Sequence, residues 1–567
     1  MIVLTVFCIL GVINVTLAGT ELLQNHDFEN VNVNQYWTCQ GGCTLTSSTD
    51  HYHGYHSVMV SNRHHHWEGL SQNVQLTGGS VYQFTAYIKL LNMASGNMYE
   101  KVQTLLGCDL NNGNKLYLPF ETDLFVMENI WTEIGGINKV PIGSHNCHFY
   151  IQLSSQSVNY LIDKASLQLV SHDANWKTKA KTRIDKIRKS NITISLSGTH
   201  NRNYDIEITQ TKHEFGFGTA VGANQIVDPN YSKYTQTIYD NFEWAVLESS
   251  LKWSQMERTK GHINHATSRN ALQALNNKGI KVRAHNIFWG VEQFVPSWVR
   301  SSSDTELPQL MSQRINDVVS LTRNLVEHWD VNNENLHGDW YEQHTGDPNI
   351  TMKMFRDTHS VDHNVKLFLN DYGIMESGMA LPLANQAKLF KASNVPIYGV
   401  GIQSHLTNMN FDPNEYMLIL DNVASAGLPI WITELTLKTT DENVKARALD
   451  DIMTLYFSHP SVEGVLLWGF WENKIYDKTL ALFEGDNVTP NAAGRKWQQL
   501  FKSRWRTHVT TSVHDDGPFT VRGFKGDYKI KVKHNGHVIK HETFKLNGNG
   551  QTLRVDVGPS SPSIVVG

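Results

Sequence analysis

The chain has 567 residues, of which 40% are hydrophobic and 18% are charged, and its formal net charge is −5. This length predicts about two to four domains, and the composition is that of a core-forming globular protein, which excludes a disordered or collagen-like chain. The small negative charge provides no basic surface for nucleic acid or an anionic membrane, so we expect neither as a partner.

The first 18 residues have the pattern of a secretory signal peptide. An apolar run over residues 2–17 ends at Ala18, a small residue placed for cleavage. The run is too short to span a membrane, and no later stretch of about 18 apolar residues follows it. We therefore predict a secreted protein that is cleaved near Ala18. Four glycosylation sequons are compatible with secretion: Asn191, Asn230, Asn349 and Asn487.

Four cysteines remain after the signal peptide: Cys39, Cys43, Cys108 and Cys147. An even number in a secreted chain suggests two disulfides, for which three connectivities are possible. Short loop closure favours the pairs Cys39–Cys43 and Cys108–Cys147. Because all four cysteines precede residue 150, we expect a separate N-terminal domain, and the rest of the chain must be held by its own core.

Residues 19–170 are predicted to form a β-sandwich. Short segments of alternating apolar and polar residues, such as Tyr82–Ile88 and His148–Leu153, are separated by Gly- and Asn-rich turns. This pattern is typical of an all-β sandwich. Residues 21–29 and 62–69 resemble the family 22 and family 4/9 carbohydrate-binding modules, and the resemblance implies a jelly roll whose aromatic side chains contact a polysaccharide.

The candidates for this contact with polysaccharide are Trp67 and Tyr160, although a tryptophan in a sandwich is more often part of the core. The three consecutive histidines His64, His65 and His66 could bind a metal. Neighbouring residues of one strand point to opposite faces, however, so we expect no metal site there.

Residues 171–204 are predicted to be a linker that leads into the next domain, with a connecting helix over 171–190. The basic run Lys177–Lys181 in this segment is explained most simply as a solvated face.

From residue 205 to residue 506 short apolar strands alternate with amphipathic segments such as Leu307–Glu327. Eight strands alternating with helices over about 300 residues are expected of a (β/α)₈ barrel, in which functional groups lie at the carboxyl ends of the strands. The candidate strands are Phe215–Val221, Trp244–Leu247, Val282–Phe288, His328–Asn332, Lys366–Leu369, Tyr398–Ile402, Ile430–Thr433 and Gly464–Trp468.

Residues 507–567 return to short strands, Thr520–Arg522 and Tyr528–Lys533, and Asn535-Gly536 marks a tight turn. We predict a small C-terminal β-domain with no chemistry of its own. The fold expected for the whole chain is therefore multidomain: a (β/α)₈ TIM barrel, preceded by a jelly-roll β-sandwich and followed by this small β-domain.

Two predicted strands of the barrel end in a carboxylate. Trp329–Glu334 and Ile430–Glu434 each have the pattern of a buried strand that stops at a glutamate. A buried glutamate is costly unless it has a task, because burial disfavours its charged form. The alternative is two unrelated surface glutamates. Glycoside hydrolysis needs such a pair, since one carboxylic acid protonates the leaving oxygen and one carboxylate attacks the sugar or activates water.

Several short motifs follow one another along the chain: Arg283–Trp289, Trp329–Glu334, Gly401–His405, Ile432–Leu435 and Trp468-Gly469. Their order resembles that in glycoside hydrolase family 10, the endo-β-1,4-xylanases, over roughly residues 175–505, and Val521–Tyr528 is similar to the extension of plant and animal members. The resemblance implies hydrolysis with retention of configuration and carboxyl groups about 5–5.5 Å apart. No cofactor is expected, because side chains perform both proton transfer and covalent capture.

The resemblance implies a role for four residues. Glu334 matches the general acid/base, so burial should raise its pKa and keep it protonated, whereas Glu434 matches the nucleophile and must stay ionised. His405 matches the imidazole that hydrogen-bonds the nucleophile. Asn333 matches the amide that bonds the 2-hydroxyl of the sugar under attack, a contact that strengthens in the transition state.

The resemblance also implies a set of sugar-binding residues, whose types suit stacking and hydrogen bonding to hydroxyls. Trp468 matches the platform under the cleaved unit, and Gln403 lies beside His405. For the tryptophans, the alternative is packing within the barrel. The residues that match the non-reducing side are Glu248, Lys252, His285 and Trp289.

Three places depart from the family pattern. Ser249-Ser250 stands where the family usually has Asn-Glu, and Gly290 replaces a common histidine. The stretch from Trp471 to Tyr476 lacks a second downstream tryptophan that, in xylanases, helps to exclude a hexose hydroxymethyl group. We interpret these changes as a loss of bulk and donors, which favours a site more tolerant of glucose.

We therefore predict a secreted, retaining endo-β-1,4-xylanase that is a monomer and whose partner is its polysaccharide substrate. Within the enzyme class, the alternative is an endo-β-1,4-glucanase or a dual xylanase/glucanase. The rival from another class is a non-catalytic carbohydrate-binding protein that has kept the barrel. Loss of either carboxylate would favour that rival, but both are present.

Overall fold

In this computed structural model, residues 19–198, 202–514 and 517–558 are described, together with the backbone of residues 565–566. The predicted signal peptide lies outside the described residues. The described chain forms an N-terminal β-sandwich, a parallel β-barrel with surrounding helices, and a second β-sandwich. Among the described residues, every helix is too short or too polar to cross a membrane.

The N-terminal unit consists of two five-stranded antiparallel sheets around an apolar core. Cys39–Cys43 and Cys108–Cys147 are bonded, which confirms the predicted pairing. The strands of one sheet, in spatial order, are Thr38–Gln40, Gly69–Val74, Ser144–Leu153, Glu100–Leu110 and Lys115–Val126. Those of the other are Thr44–Ser48, Ser57–Ser61, Tyr160–Leu169, Val81–Leu90 and Thr132–Lys139, and a short 3₁₀ helix spans Val33–Gln35.

The two aromatic residues proposed to contact a polysaccharide lie in different surroundings. Tyr160 is fully buried, and its hydroxyl accepts a hydrogen bond from Leu70 N at 3.2 Å. The prediction that Tyr160 contacts a polysaccharide is therefore wrong, since its strand position faces the core. Trp67 is 38% exposed and its ring stacks on His65. The three histidines lie in a bend and turn rather than in one strand, so the alternation argued for them does not apply.

The barrel contains eight parallel strands, and the pairing of β3 with β4 closes it, which confirms the predicted fold class. The strands are β1 (Gly216–Val221), β2 (Trp244–Leu247), β3 (Lys281–Ala284), β4 (His328–Asn333), β5 (Lys366–Asp371), β6 (Gly399–Ile402), β7 (Ile430–Leu437) and β8 (Val462–Leu467). The predicted strand Val282–Phe288 is interrupted, because the chain leaves β3 after Ala284 and pairs again only at Phe288–Trp289.

Helices connect the strands and cover the outside of the barrel. The longer helices are Ser232–Asn241, Ala266–Asn277, Leu307–Thr322, Ile350–Val361, Ala380–Ala392, Pro413–Ala424, Glu442–Ser458 and Ala492–Gln499. Shorter elements are Ala223–Val227, Pro229–Tyr231, Trp253–Met256, Glu292–Phe294, Ser297–Arg300, Trp340–Thr345, Lys478–Leu480 and Leu500–Arg504, with short strands His405–Leu406, Phe483–Glu484 and Thr489–Pro490. The predicted helix Leu307–Glu327 ends earlier, at Thr322.

Residues of five barrel strands form a compact apolar cluster inside the barrel, below the carboxyl ends of the strands. Large rings fit there because small residues stand beside them. A Cβ atom at Gly216 or Gly464 would lie within 2.5 Å of the Trp431 ring, so only glycine leaves room for this tryptophan. The members of the cluster are Ala220, Trp244, Val246, Phe368, Trp431 and Leu466.

The second sandwich is formed by chain segments that precede and follow the barrel in the sequence. Its two four-stranded sheets, in spatial order, are Pro518–Phe524, Lys189–Ser197, Gln551–Asp556 and Val565–Val566, and His508–Val513, Tyr204–His213, Gly526–His534 and His537–Leu546. Residues 171–204, predicted as a linker, therefore hold the helix Trp176–Arg188 and then a central strand of this sandwich. The predicted C-terminal domain, 507–567, is incomplete without the two strands that precede the barrel.

We expect these two early strands to contribute strongly to stability. Ile206 is fully buried and lies between two neighbouring strands, so Ile206→Ala should lower the free energy of unfolding by about 2–5 kcal/mol. Ile539, in the same sandwich, is 41% exposed, and Ile539→Ala should cost less than about 0.5 kcal/mol. Urea denaturation of both variants measures the difference, and equal effects would contradict the observed placement.

Candidate active site

Glu334 follows directly after β4, where the backbone turns sharply. Its φ is +57°, and its backbone N–H donates to Asn370 O at 2.9 Å. The residue is 8% exposed, and its carboxyl group accepts two hydrogen bonds, from Trp289 Nε1 at 2.7 Å and from Gln403 Nε2 at 2.9 Å. A left-handed conformation at a non-glycine residue is held by its surroundings and is often found at functional sites.

Burial raises the pKa of the Glu334 carboxyl above its ordinary value, and the negative charge of Glu434 adds to this effect. The hydrogen bonds from Gln403 and Trp289 favour the charged form and oppose the shift, but they do not cancel it. Glu334 therefore holds its proton to a higher pH than an exposed glutamate, which is the property required of a general acid.

Glu434 lies within β7 rather than at its end, at a place where the pairing with β8 shifts register. The side chain of Glu434 is 6% exposed. It accepts a hydrogen bond from Asn370 Nδ2 at 3.1 Å and lies 3.3 Å from His405 Nε2. Since His405 Nδ1 lies 3.0 Å from Thr436 Oγ1, a neutral imidazole can accept from the threonine and donate to the carboxylate.

Burial alone would raise the pKa of Glu434, but the groups around it outweigh burial and lower the pKa below its ordinary value. These contributions are, largest first, the hydrogen bond from His405, the electrostatic interactions with His285 and His405, and the charge of Lys252. Glu434 therefore stays ionised to a lower pH than an exposed glutamate, whereas Glu334 keeps its proton to a higher pH. Two neighbouring carboxyls with opposite pKa shifts are the arrangement that separates an acid from a nucleophile.

Asn370, near the end of β5, contacts both glutamates, and it was not among the predicted site residues. Its Nδ2 group donates to Asn333 Oδ1 at 2.8 Å as well as to Glu434, and its Oδ1 accepts from Thr433 Oγ1 at 2.6 Å. Asn370 follows the candidate strand Lys366–Leu369, where functional groups are expected in this fold, but it is an amide and not the carboxylate that drew attention to Glu334.

Asn333 has a donor that is not used within the protein. Its Nδ2 group is buried and has no hydrogen-bond partner among the described residues, while its Oδ1 is held by Asn370. A buried amide left without a partner costs free energy, so this donor is available to a ligand hydroxyl.

The predicted sugar-binding residues surround the two carboxyls. Lys252 Nζ lies 4.6 Å from the ring centroid of Trp289 and 5.8 Å from that of Trp468. The His285 ring packs edge-on against Trp468 at 5.3 Å, and its Nδ1 lies 3.0 Å from Asp330 Oδ2. Burial lowers the pKa of Lys252, and the nearby glutamates partly offset this effect.

Glu248 lies further out, where its Oε2 is 3.5 Å from Lys474 Nζ. Asp330 also forms a buried ion pair with Arg283, so the carboxylate that contacts His285 is held in place. The structure thus brings together the catalytic candidates Glu334, Glu434, His405 and Asn333 and the binding candidates Lys252, His285, Trp289, Gln403 and Trp468, while their assigned roles stay predictions.

Comparison with known families adds a decisive match. Residues 207–495 match the sequence profile of glycosyl hydrolase family 10. The chain belongs to glycosyl hydrolase family 10. Residues 20–158 match a carbohydrate binding domain, so both parts of the resemblance found in the sequence are confirmed.

Two curated relatives illustrate the range of proteins similar to this family 10 chain. The anti-sigma-I factor RsgI6 of Acetivibrio thermocellus is 36% identical over 384 residues, which cover 67% of this chain and 49% of the relative. Endo-1,4-beta-xylanase 3 of Arabidopsis thaliana is 29% identical over 526 residues, 89% of this chain and 67% of the relative. The chain spans only about half the length of several relatives that it matches, 49% of the first and 52% of Arabidopsis endo-1,4-beta-xylanase 1.

One solved structure matches a large part of this chain. It contains the CBM22-1 and GH10 modules of the Clostridium thermocellum endo-1,4-beta-D-xylanase 10B, complexed with xylohexaose. The TM-score is 0.44 at 18% sequence identity, and the match covers 82% of this chain and 94% of that one.

One of the departures from the family 10 pattern does not enlarge the site. A Cβ atom at Gly290 would lie 2.5 Å from Gly338 O and 3.0 Å from Asn335 Cα. The backbone of the loop after Glu334 therefore fills the space beside residue 290. The interpretation that this glycine removes bulk from the subsites is wrong for that reason.

The opposite pKa shifts predict a bell-shaped dependence of kcat/KM on pH for this family 10 site. At low pH, activity should fall as Glu434 becomes protonated, with a pKa below that of an ordinary glutamate. At high pH, activity should fall as Glu334 loses its proton, with a pKa above that of an ordinary glutamate. Trp289→Phe removes a hydrogen bond that favours charged Glu334, so the basic limb should move to higher pH. In the matched control Trp298→Phe, whose indole N–H bonds Glu257 O instead, the limb should not move. A basic limb that stays in place in both variants would contradict the assignment of Glu334.

Proposed function

We propose that this family 10 protein is a retaining endo-β-1,4-xylanase, which cleaves internal linkages of xylan through a covalent glycosyl-enzyme intermediate. The observation that carries the proposal is the pair of buried carboxyls at β4 and β7 with opposite pKa shifts. The relatives named endo-1,4-beta-xylanases support xylan as the substrate.

In the proposed reaction the Glu434 carboxylate attacks the anomeric carbon while Glu334 protonates the leaving glycosidic oxygen. Glu334, now ionised, removes a proton from water, and this water displaces Glu434 to release the sugar. The free Nδ2 donor of Asn333 bonds the 2-hydroxyl of the sugar under attack, and His405 keeps Glu434 charged and oriented. Trp468 and Trp289 provide stacking surfaces.

A second activity, on soluble β-1,4-glucans, is favoured by the stretch from Trp471 to Tyr476. Trp471 is only 7% exposed and its indole N–H bonds Gly485 O, so this ring belongs to the core and does not narrow the site. Tyr476 is 66% exposed at the rim. A tryptophan that would exclude the hydroxymethyl group of glucose is therefore missing from this stretch of the described chain.

Release of reducing sugar from xylan and from carboxymethylcellulose tests both activities. We expect release from xylan by the wild-type protein and almost none by Glu434→Ala. Equal release by the two proteins would favour a non-catalytic carbohydrate-binding protein. Absence of release from carboxymethylcellulose would reject the second activity and leave the first intact.

We also propose that the protein is secreted and monomeric. The apolar run before Ala18 and the two disulfides support secretion, because disulfides persist mainly in oxidising compartments. The four sequon asparagines are exposed, which is compatible with glycosylation. N-terminal sequencing of the protein from a culture medium should give a residue near Gly19, and its mass in size-exclusion chromatography should be that of one chain.

A further inference from the structure

A cavity of about 520 Å³ lies between the N-terminal sandwich and the barrel. It is separate from the catalytic cleft, because none of the residues assigned above to catalysis or sugar binding lines it. Polar contacts join the two units beside it. Lys388 Nζ lies 3.0 Å from Glu133 Oε2, and Asn385 Nδ2 donates to Glu133 O at 2.7 Å.

Aromatic rings form the sandwich side of the cavity. Tyr52 and Tyr87 stack at 3.7 Å with an angle of 11° between their planes, and Trp131 lies 6.1 Å from Tyr52 at 58°. Tyr52 is 44% exposed although it is a large ring. Adjoining aromatic faces offer the apolar surface on which the C–H face of a pyranose ring packs.

Two buried acceptor atoms on the barrel side of the cavity lack a donor among the described residues. Glu342 is 5% exposed; its Oε1 accepts from Thr351 Oγ1 at 2.6 Å, while its Oε2 is buried and has no partner among the described residues. Gln386 Oε1 is also buried and lacks a partner within the described part of the chain. Unpaired buried acceptors are costly, and hydroxyl groups of a ligand would satisfy them.

We propose that this cavity is a second oligosaccharide-binding site, which takes a short β-1,4-linked oligosaccharide. One sugar ring stacks against Trp131 and Tyr52, and hydroxyl groups donate to Glu342 and Gln386. The volume falls within the range of ligand pockets and suits about two or three sugar rings. The combination of an aromatic wall with orphaned acceptors favours a neutral polyhydroxyl ligand over an apolar one, which would leave the acceptors unpaired. The choice of a xylan-derived probe rests on the proposed function.

Calorimetric titration with xylotriose, and in parallel with cellotriose, tests the site in a Glu434→Gln background that prevents hydrolysis. We expect two binding events for at least one of the two sugars. Trp131→Ala should remove one event or weaken it by about tenfold and leave the other. Gln386→Leu should act in the same way through loss of an acceptor, and it serves as the second variant if Trp131→Ala does not fold.

Tyr55→Ala is the matched control, because Tyr55 is 76% exposed and does not line the cavity. Both events should persist in this variant. A single event in the parent protein, or two events that survive both Trp131→Ala and Gln386→Leu, would overturn the assignment. Xylan hydrolysis by the wild-type protein separates the two proposals: hydrolysis with a single binding event rejects only the second site, and two events without hydrolysis reject only the enzymatic function.

Discussion

Glu434→Gln should lower kcat on xylan by about 10⁴- to 10⁶-fold, because glutamine cannot form the glycosyl-enzyme. The protein should stay folded, since glutamine has nearly the same shape and can keep the hydrogen bond with Asn370. Initial rates of reducing-sugar release measure the loss. Glu292→Gln is the matched control, because the Glu292 side chain is 68% exposed, and it should leave kcat unchanged.

Covalent trapping identifies the nucleophile independently of rates. A slow fluorinated xylobioside should label the wild-type protein on the peptide that contains Glu434, and it should leave Glu434→Gln unlabelled. A label on another carboxylate would refute the assignment of Glu434 even if the substitution abolished activity.

Glu334→Ala should lower kcat/KM on xylan by about 10²- to 10⁴-fold, because the leaving oxygen is no longer protonated. The loss should be much smaller for an aryl xylobioside with a good leaving group, since such a group departs without a proton. Comparison of the two substrates in the same variant measures the difference. Equal losses on both substrates would show that Glu334 is not the acid.

Azide provides the control for the second half of the reaction. Small and negatively charged, it can enter the space left in Glu334→Ala and attack the intermediate without a general base. The product should be a β-xylosyl azide, since two inversions restore the configuration. In Glu434→Ala the same anion should give the α-product by a single inversion. Products of the same configuration from both variants would contradict the two roles.

The barrel was predictable from the sequence because its signal is local. Each strand is a short apolar run between helices, and Trp244–Leu247 has the predicted bounds. The glutamates were found because a carboxylate that follows a buried run is rare. Asn370 also follows a buried run, but its side chain is an amide, so a rule based on carboxylates did not identify it.

Other features depend on contacts between residues that are distant in the sequence, and a local sequence pattern does not predict such contacts. Tyr160 lies in a strand that offers two faces, and only the pairing with its neighbours determines which face is buried. The composition of the second sandwich was missed because its paired strands are separated in the sequence by the whole barrel. Ile206, for example, pairs with Val532. The cavity between the sandwich and the barrel arises from contacts between domains, which periodicity within one segment does not report.

The interrupted sandwich has a consequence for synthesis. The strands Lys189–Ser197 and Tyr204–His213 leave the ribosome before the barrel, but their partners begin at His508. At about 5–20 residues per second, roughly 300 residues separate them by some 15–60 s. During this interval their edges lack the partners of the finished fold, so we expect a newly made chain to be most prone to aggregation before its last strands are made.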